Sequence, residues 1–261
     1  MKWFIPTSCD DQGAGCLNWR GSESSDSIDG GMVEQVRDRL ARVYERIAQA
    51  AERAGRKAED IKLIAVSKTF NAEIVQGAVD AGVVDLGENK VQEAAGKIPQ
   101  IRADRLRWHL IGHLQSNKVR TAVTLFDVIH TVDDAQLVER IDRIAGEAGR
   151  RPTLLVQVDL AHEPTKSGAR EAKLPEIVEA LGKCRNIEFR GLMALPPFFD
   201  APEQTRVYFR RLRELRDALN RELGPERRLT ELSMGMSHDF EVAIEEGATM
   251  IRVGTAIFGE R

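Results

Sequence analysis

Long apolar runs are missing from this 261-residue chain. None approaches the 18 residues of a membrane-spanning helix, so no transmembrane helix is expected. The apolar stretch in Met1–Pro6 is too short for the h-region of a signal peptide. Cysteine is scarce: Cys9, Cys16 and Cys184 are odd in number and fit no zinc spacing. A disulfide scaffold is therefore not expected, and reduced thiols in a cytoplasmic protein are the simplest reading. Tyrosine is scarcer still, with only Tyr44 and Tyr208. Neither a Walker A motif nor a Rossmann glycine fingerprint is present. Charge of one sign is also lacking. The net charge of −3 is carried entirely by residues 1–31, which leaves a neutral body. Such a body has no broad basic field, so nucleic acid is not an expected partner.

What is present is an ordinary soluble composition, 42% hydrophobic and 30% charged. Residues 1–31 are rich in Ser, Gly and Asp without periodicity and read as a disordered tail. Because Met32 directly precedes a helical pattern, an upstream start codon is one expected origin of that tail. Residues 32–261 form the expected folded domain. Val33, Val36, Leu40, Val43, Ile47 and Ala51 make one helical stripe, which Gly55 closes.

Eight β-like runs follow, at 61–68, 83–88, 107–114, 127–132, 153–160, 187–195, 229–234 and 249–258. Amphipathic windows separate them at 72–81, 90–101, 115–125, 134–148, 171–184, 201–223 and 238–246. Strand–helix alternation builds parallel sheets. The expected class is α/β, a single (β/α)₈ TIM-type barrel with an extra N-terminal helix that caps its floor or packs alongside. An open doubly wound sheet is the alternative. With the chain stopping at Arg261, no second domain is expected after strand 8.

A barrel carries its chemistry at the C-terminal strand ends. The first run ends in Ser67-Lys68-Thr69, and a mouth lysine that loses its proton can form a Schiff base with a carbonyl compound. The bland reading of Lys68 is a surface or ion-paired lysine. The seventh run leads into Gly235-Met236-Ser237, and the eighth holds Arg252, Gly254 and Thr255. Glycine backbone, hydroxyls and a helix start suit a phosphate. The bland reading is that Gly235 and Gly254 are turn residues and Ser237 an N-cap. Asn89 is either a cap or a polar pocket residue, and Lys166 either a second cation near an acidic ligand or a solvated loop lysine. His109 and His113 share a strand face by spacing, but no third ligand is evident and no metal is expected. The arginines of helix 201–223 are nearly balanced by acids and read as an ion-paired face.

Seven segments occur together and in order: IAVSKTF (64–70), GENKVQE (87–93), WHLIGHLQSNK (108–118), EPTKSG (163–168), GLMALPP (191–197), ELSMGMSHDF (231–240) and IRVGTAIFGER (251–261). Through them the chain from about Met32 to Arg261 resembles the YggS/PROSC family of pyridoxal phosphate homeostasis proteins. The resemblance implies a fold-type III barrel like the N-terminal domain of alanine racemase. It makes Lys68 the residue that carries pyridoxal 5′-phosphate (PLP) as a covalent aldimine. It places Ser237, Gly254 and Thr255 at the phosphate, with backbone contacts from Gly235 or Met236, and Arg252 near the pyridine nitrogen. Asn89, His109, Lys166 and Met193 match positions around the ring. Two departures stand out: Phe70-Asn71, where Lys-Pro is frequent, and Asp159, where Asn is usual. The tail 1–31 has no counterpart in the pattern.

Arginine at the pyridine nitrogen makes the ring a poorer electron sink. Racemisation also needs a second acid/base, and neither tyrosine is expected at a strand end. The expected function is thus carriage of PLP in vitamin B6 homeostasis and amino-acid balance by a monomer without catalytic residues, with apo PLP-enzymes as recipients. The alternatives are a weak PLP-dependent amino-acid racemase and a barrel that binds another phosphate compound.

Overall fold

The computed structural model describes residues 26–163 and 167–260. Its order is α1 (Asp26–Arg53), β1 (Lys62–Val66), α2 (Ala72–Asp80), β2 (Asp85–Glu88), α3 (Val91–Lys97) and β3 (Arg107–Leu110). Then come α4 (Val119–Leu125), β4 (Val128–Val132), α5 (Ala135–Ala148), β5 (Thr153–Val158), α6 (Leu174–Lys183) and β6 (Glu188–Ala194). The chain finishes with α7 (Arg206–Leu223), β7 (Glu231–Met236), α8 (Phe240–Glu245), β8 (Met250–Val253) and α9 (Thr255–Phe258). All eight strands are parallel and pair in sequence order, and β8 returns to β1 with Lys62 opposite Met250 and Ala65 opposite Val253. The sheet is closed, so the open doubly wound alternative does not hold.

The chain's own periodicity explains the outer layer. Val36, Leu40, Val43, Ile47 and Ala50 of α1 are buried, and this stripe packs on α2, α8 and α9. The N-terminal helix therefore lies alongside the barrel. Gly55, at φ 63°, lets the chain turn back after α1, and the Arg56 N–H then reaches Ala51 O at 2.8 Å. Side chains set two further helix starts: Asn71 Oδ1 accepts from Ile74 N at 2.9 Å, and Asp134 Oδ1 accepts from Leu137 N at 2.7 Å. Phe70, beside Asn71, stacks on Phe258 with ring centroids 5.0 Å apart.

Several boundaries differ from expectation, those of α1 and β8 the most. Helix α1 begins at Asp26, so residues 26–31 of the segment expected as a tail are helical. Residues 1–25, with Cys9 and Cys16, lie outside the described residues. The eighth run was read as β through 258, yet β8 ends at Val253. Gly254 O accepts from the N–H groups of Ile257 and Phe258, both at 2.9 Å, and so starts α9. Alternating apolar residues had concealed that single turn. Among the described residues no helix is long and apolar enough to cross a membrane.

Helices and outward strand faces form the large core. A smaller cluster, Ile64, Leu155, Met193 and Met250, comes from β1, β5, β6 and β8. Residues on strands so far apart meet only inside the barrel. Buried polar side chains, among them His109, His130 and Ser233, share that interior.

Candidate active site at the barrel mouth

At the C-terminal strand ends lies a cavity of about 430 Å³. Val66, Lys68, Asn89, Ile111, Leu195, Met236, Ser237, His238, Arg252, Gly254 and Thr255 line it. The structure thus brings together Lys68, Asn89, Met236, Ser237, Arg252, Gly254 and Thr255 from the sequence reading. Larger surface concavities exist elsewhere, but this one joins an amine, a buried guanidinium and two hydroxyls.

Lys68 follows β1 and is half-buried. Its neighbour Thr69 has φ 68°, a left-handed conformation uncommon for a β-branched residue. Such strain costs on the order of 1–3 kcal/mol and persists where surroundings impose it. Here the Thr69 N–H bonds to the Glu93 carboxylate, which Lys90 and that N–H hold below the usual range. The turn places the Lys68 side chain at the mouth.

Arg252 is buried, and its Nη1 donates to Ser233 Oγ at 2.6 Å while Nη2 donates to Ala194 O at 2.9 Å. Burial lowers its pKa to about 10, against the opposing pull of Asp239. It remains a cation at neutral pH. Asp239 is itself pushed up by burial, although its carboxylate accepts the Met236 N–H at 2.7 Å.

Ser237 does not cap the helix that follows it. Its Oγ accepts from Gly254 N at 3.1 Å and Ala256 N at 3.4 Å, and so caps α9 instead. With both acceptor positions used, its O–H is left as a donor at the cavity wall. Asn89 is no helix cap either: the N-cap of α3 is Lys90, without a side-chain bond.

Gly235 does not line the cavity but sets the path of its wall. At φ 91° only glycine is unstrained, and a Cβ there would lie 2.6 Å from Ala243 Cβ and 2.9 Å from Phe240 Cα. This lets β7 turn sharply into Met236 and Ser237.

Two expected ring positions, His109 and Met193, are not among the cavity lining. His109 is fully buried inside the barrel, where Nε2 meets Asp85 and Nδ1 meets His130, at 2.8 and 2.9 Å. A polar residue on an inward-facing strand position can lie well below the mouth, and spacing does not give that depth. Nor does His113 share its face: β3 ends at Leu110, and His113 is exposed near Asp133. Met193 belongs to the inner cluster, with Leu195, which does reach the cavity, packed on it. Lys166 lies outside the described residues. Asp159 accepts from His162 N at 2.9 Å and does not line the cavity.

The residues missed were Val66, Ile111, Leu195 and His238. The first three are apolar strand ends, indistinguishable in sequence from core. His238 read as the opening of a helix; its Nε2 instead lies 3.1 Å from Phe199 O. Cys184 is a half-buried thiol whose pKa burial raises to about 11, and its Sγ donates to Ala180 O. Among the described residues no group of His, Cys, Asp and Glu could hold a metal ion.

Residues 39–261 match the family described as alanine racemase, N-terminal domain. A pyridoxal phosphate homeostasis protein of Aquifex aeolicus is 44% identical over 224 residues, 86% of this chain and 97% of the relative. Another so named, from Pseudomonas aeruginosa, is 42% identical over 230 residues, 88% of this chain and 97% of the relative. PipY of Synechococcus elongatus PCC7942, solved with PLP bound, is 42% identical, with a TM-score of 0.76 over 86% of this chain and 100% of that one. A full-length match of this strength across a closed barrel leads to one conclusion: the chain belongs to the family of pyridoxal phosphate homeostasis proteins that share the alanine racemase N-terminal domain.

Proposed function

We propose that this chain binds PLP reversibly through Lys68 and serves in intracellular PLP homeostasis. The observation that carries the reading is the meeting, in one cavity, of a lysine amine, a buried arginine and a Ser/Thr/Gly wall, each suited to a different part of that cofactor. Lys68 supplies the nucleophile: its free amine attacks the aldehyde carbon, water leaves, and a covalent imine link remains. Ser237 O–H and Thr255, on either side of Gly254 in the cavity wall, hold the phosphate, where charge-assisted bonds are strong. Arg252 turns its unengaged N–H edge to the ring, and a permanent donor there disfavours protonation of the ring nitrogen. When bound, the cofactor supplies an electrophilic carbonyl and an electron-accepting ring; Arg252 restrains the second property.

The reading has a monomer that hands PLP to apo-enzymes. Tyr44 and Tyr208, on α1 and α7, do not reach the cavity.

The purified protein mixed with PLP should turn yellow, and borohydride should fix the label on Lys68 in a peptide map. A label on another lysine, or none, overturns the covalent assignment. Sustained racemisation of single L-amino acids by chiral analysis, abolished in Lys68→Ala, would overturn the carrier role. The phosphate assignment has its own check. Ser237→Ala combined with Thr255→Ala should weaken PLP retention by about tenfold to a hundredfold, as two hydrogen bonds to a charged group are lost. Unchanged affinity in equilibrium dialysis would reject it.

A further inference from the structure

The barrel interior holds an unbroken line of hydrogen bonds that the proposed function leaves unused. It begins at the floor, where Asp85 is paired with Arg107, Nε to Oδ1 at 2.9 Å. Asp85 Oδ1 meets His109 Nε2 at 2.8 Å, and His109 Nδ1 meets His130 Nε2 at 2.9 Å. His130 Nδ1 meets Ser233 Oγ at 2.9 Å, and Ser233 Oγ accepts from Arg252 Nη1 at 2.6 Å. These five residues come from β2, β3, β4, β7 and β8, and the His130–Ser233 bond crosses the lumen. None is more than 3% exposed.

The two ends fix the direction of the line. Arg252 can only donate. The Asp85 carboxylate can only accept; burial raises its pKa, but the bonds from His109 and Arg107 together outweigh that and hold it below the usual range. With both imidazoles neutral, one arrangement satisfies every bond of the line. His109 donates from Nε2 to Asp85, which leaves its Nδ1 as acceptor. His130 then donates from Nε2 to His109, and its own Nδ1 accepts the Ser233 hydroxyl. Burial, and with it the nearby cations Arg252 and Lys62, holds His130 well below the usual imidazole range, which agrees with a neutral ring.

We propose that Ser233, His130, His109 and Asp85 are positioning residues: a one-way relay that holds the Arg252 guanidinium in a single orientation toward the cofactor ring. The proposal rests on the PLP reading for its purpose, but not for its bond pattern. Ser233 fixes Nη1, and Ala194 O fixes Nη2. A guanidinium held at two nitrogens presents its remaining edge to the cavity without rotating. His109 thereby acts on the ring at a distance, through Arg252, in place of the direct contact that the resemblance implied.

Two measurements decide the matter. Nitrogen-15 NMR of histidine-labelled protein without PLP should show His109 and His130 as neutral Nε2–H tautomers. A proton on His130 Nδ1, or a doubly protonated His109, overturns the relay. In the PLP-loaded protein, Ser233→Ala should still be reduced onto Lys68. It should also show a displaced visible band and about tenfold weaker retention, because a bond to a charged donor is lost. Ser233→Thr keeps a hydroxyl and should restore both. A Ser233→Ala protein with the wild-type band and retention overturns the proposal. Should that variant not fold, the NMR pattern of the unaltered protein still decides. If the unaltered protein takes up no PLP, the cofactor reading fails, while the NMR pattern stands or falls separately.

Discussion

Lys68→Ala should give a folded, colourless protein that retains PLP at least about 100-fold more weakly, equivalent to roughly 2.8 kcal/mol. Half-buried at the mouth, the Lys68 side chain contributes little to the core, so thermal unfolding of the ligand-free variant should match the parent. Residual binding should persist, because Ser237, Thr255 and Arg252 are untouched. That separates the covalent contribution from the ionic one. Wild-type affinity and colour in the variant would show that another amine does the work. Comparable loss on mutating Arg252 alone would instead make the ring contact dominant.

The second large effect concerns a residue that never touches the cavity. Lys97, the last residue of α3, is buried with its Nζ 2.5 Å from Glu88 Oε1 and 2.6 Å from Ser67 O. Ser67 Oγ donates to the same Glu88 oxygen at 2.7 Å. Glu88 is fully buried, and its Oε2 has no hydrogen-bond partner. The pair therefore joins the ends of β1 and β2, next to Lys68 and Asn89. Lys97→Met keeps the aliphatic volume but strands a carboxylate out of water. Breaking a buried pair in this way costs about 3–5 kcal/mol. For a chain of this size that corresponds to a fall in melting temperature of about 10 °C. Adding Glu88→Gln should recover part of it, since the neutral amide is cheaper to bury. A Lys97→Met variant that melts with the parent would mean that water reaches Glu88. Because both strand ends bear cavity residues, PLP retention should fall along with stability.

What the sequence by itself determined was repetitive and local. Period-2 and period-3.6 patterns gave eight strands, the intervening helices and hence a closed barrel, because each pattern has to bury one face. The same alternation told where the first, second and seventh strands end, and so placed Lys68, Asn89 and Ser237 at one mouth; Arg252, Gly254 and Thr255 fell within the eighth run. Local pattern failed where one turn of helix mimics a strand, as at Thr255–Phe258, and at the start of α1, where Ser, Gly and Asp gave no apolar stripe to read.

Tertiary structure alone decided depth and partnership. His109 and Met193 occupy inward strand positions, but how far each lies below the mouth depends on strand stagger, which no single strand encodes. His130 stands in the fourth run with Asp127 and Thr131, and nothing in that run marks it. Only closure of the sheet brings it across the lumen to Ser233, 103 positions away in the chain. Hydrogen bonding needs geometry at the ångström scale between strands far apart in sequence, whereas burial needs only a face. That is why the barrel could be read from the residues and the polar line through it could not.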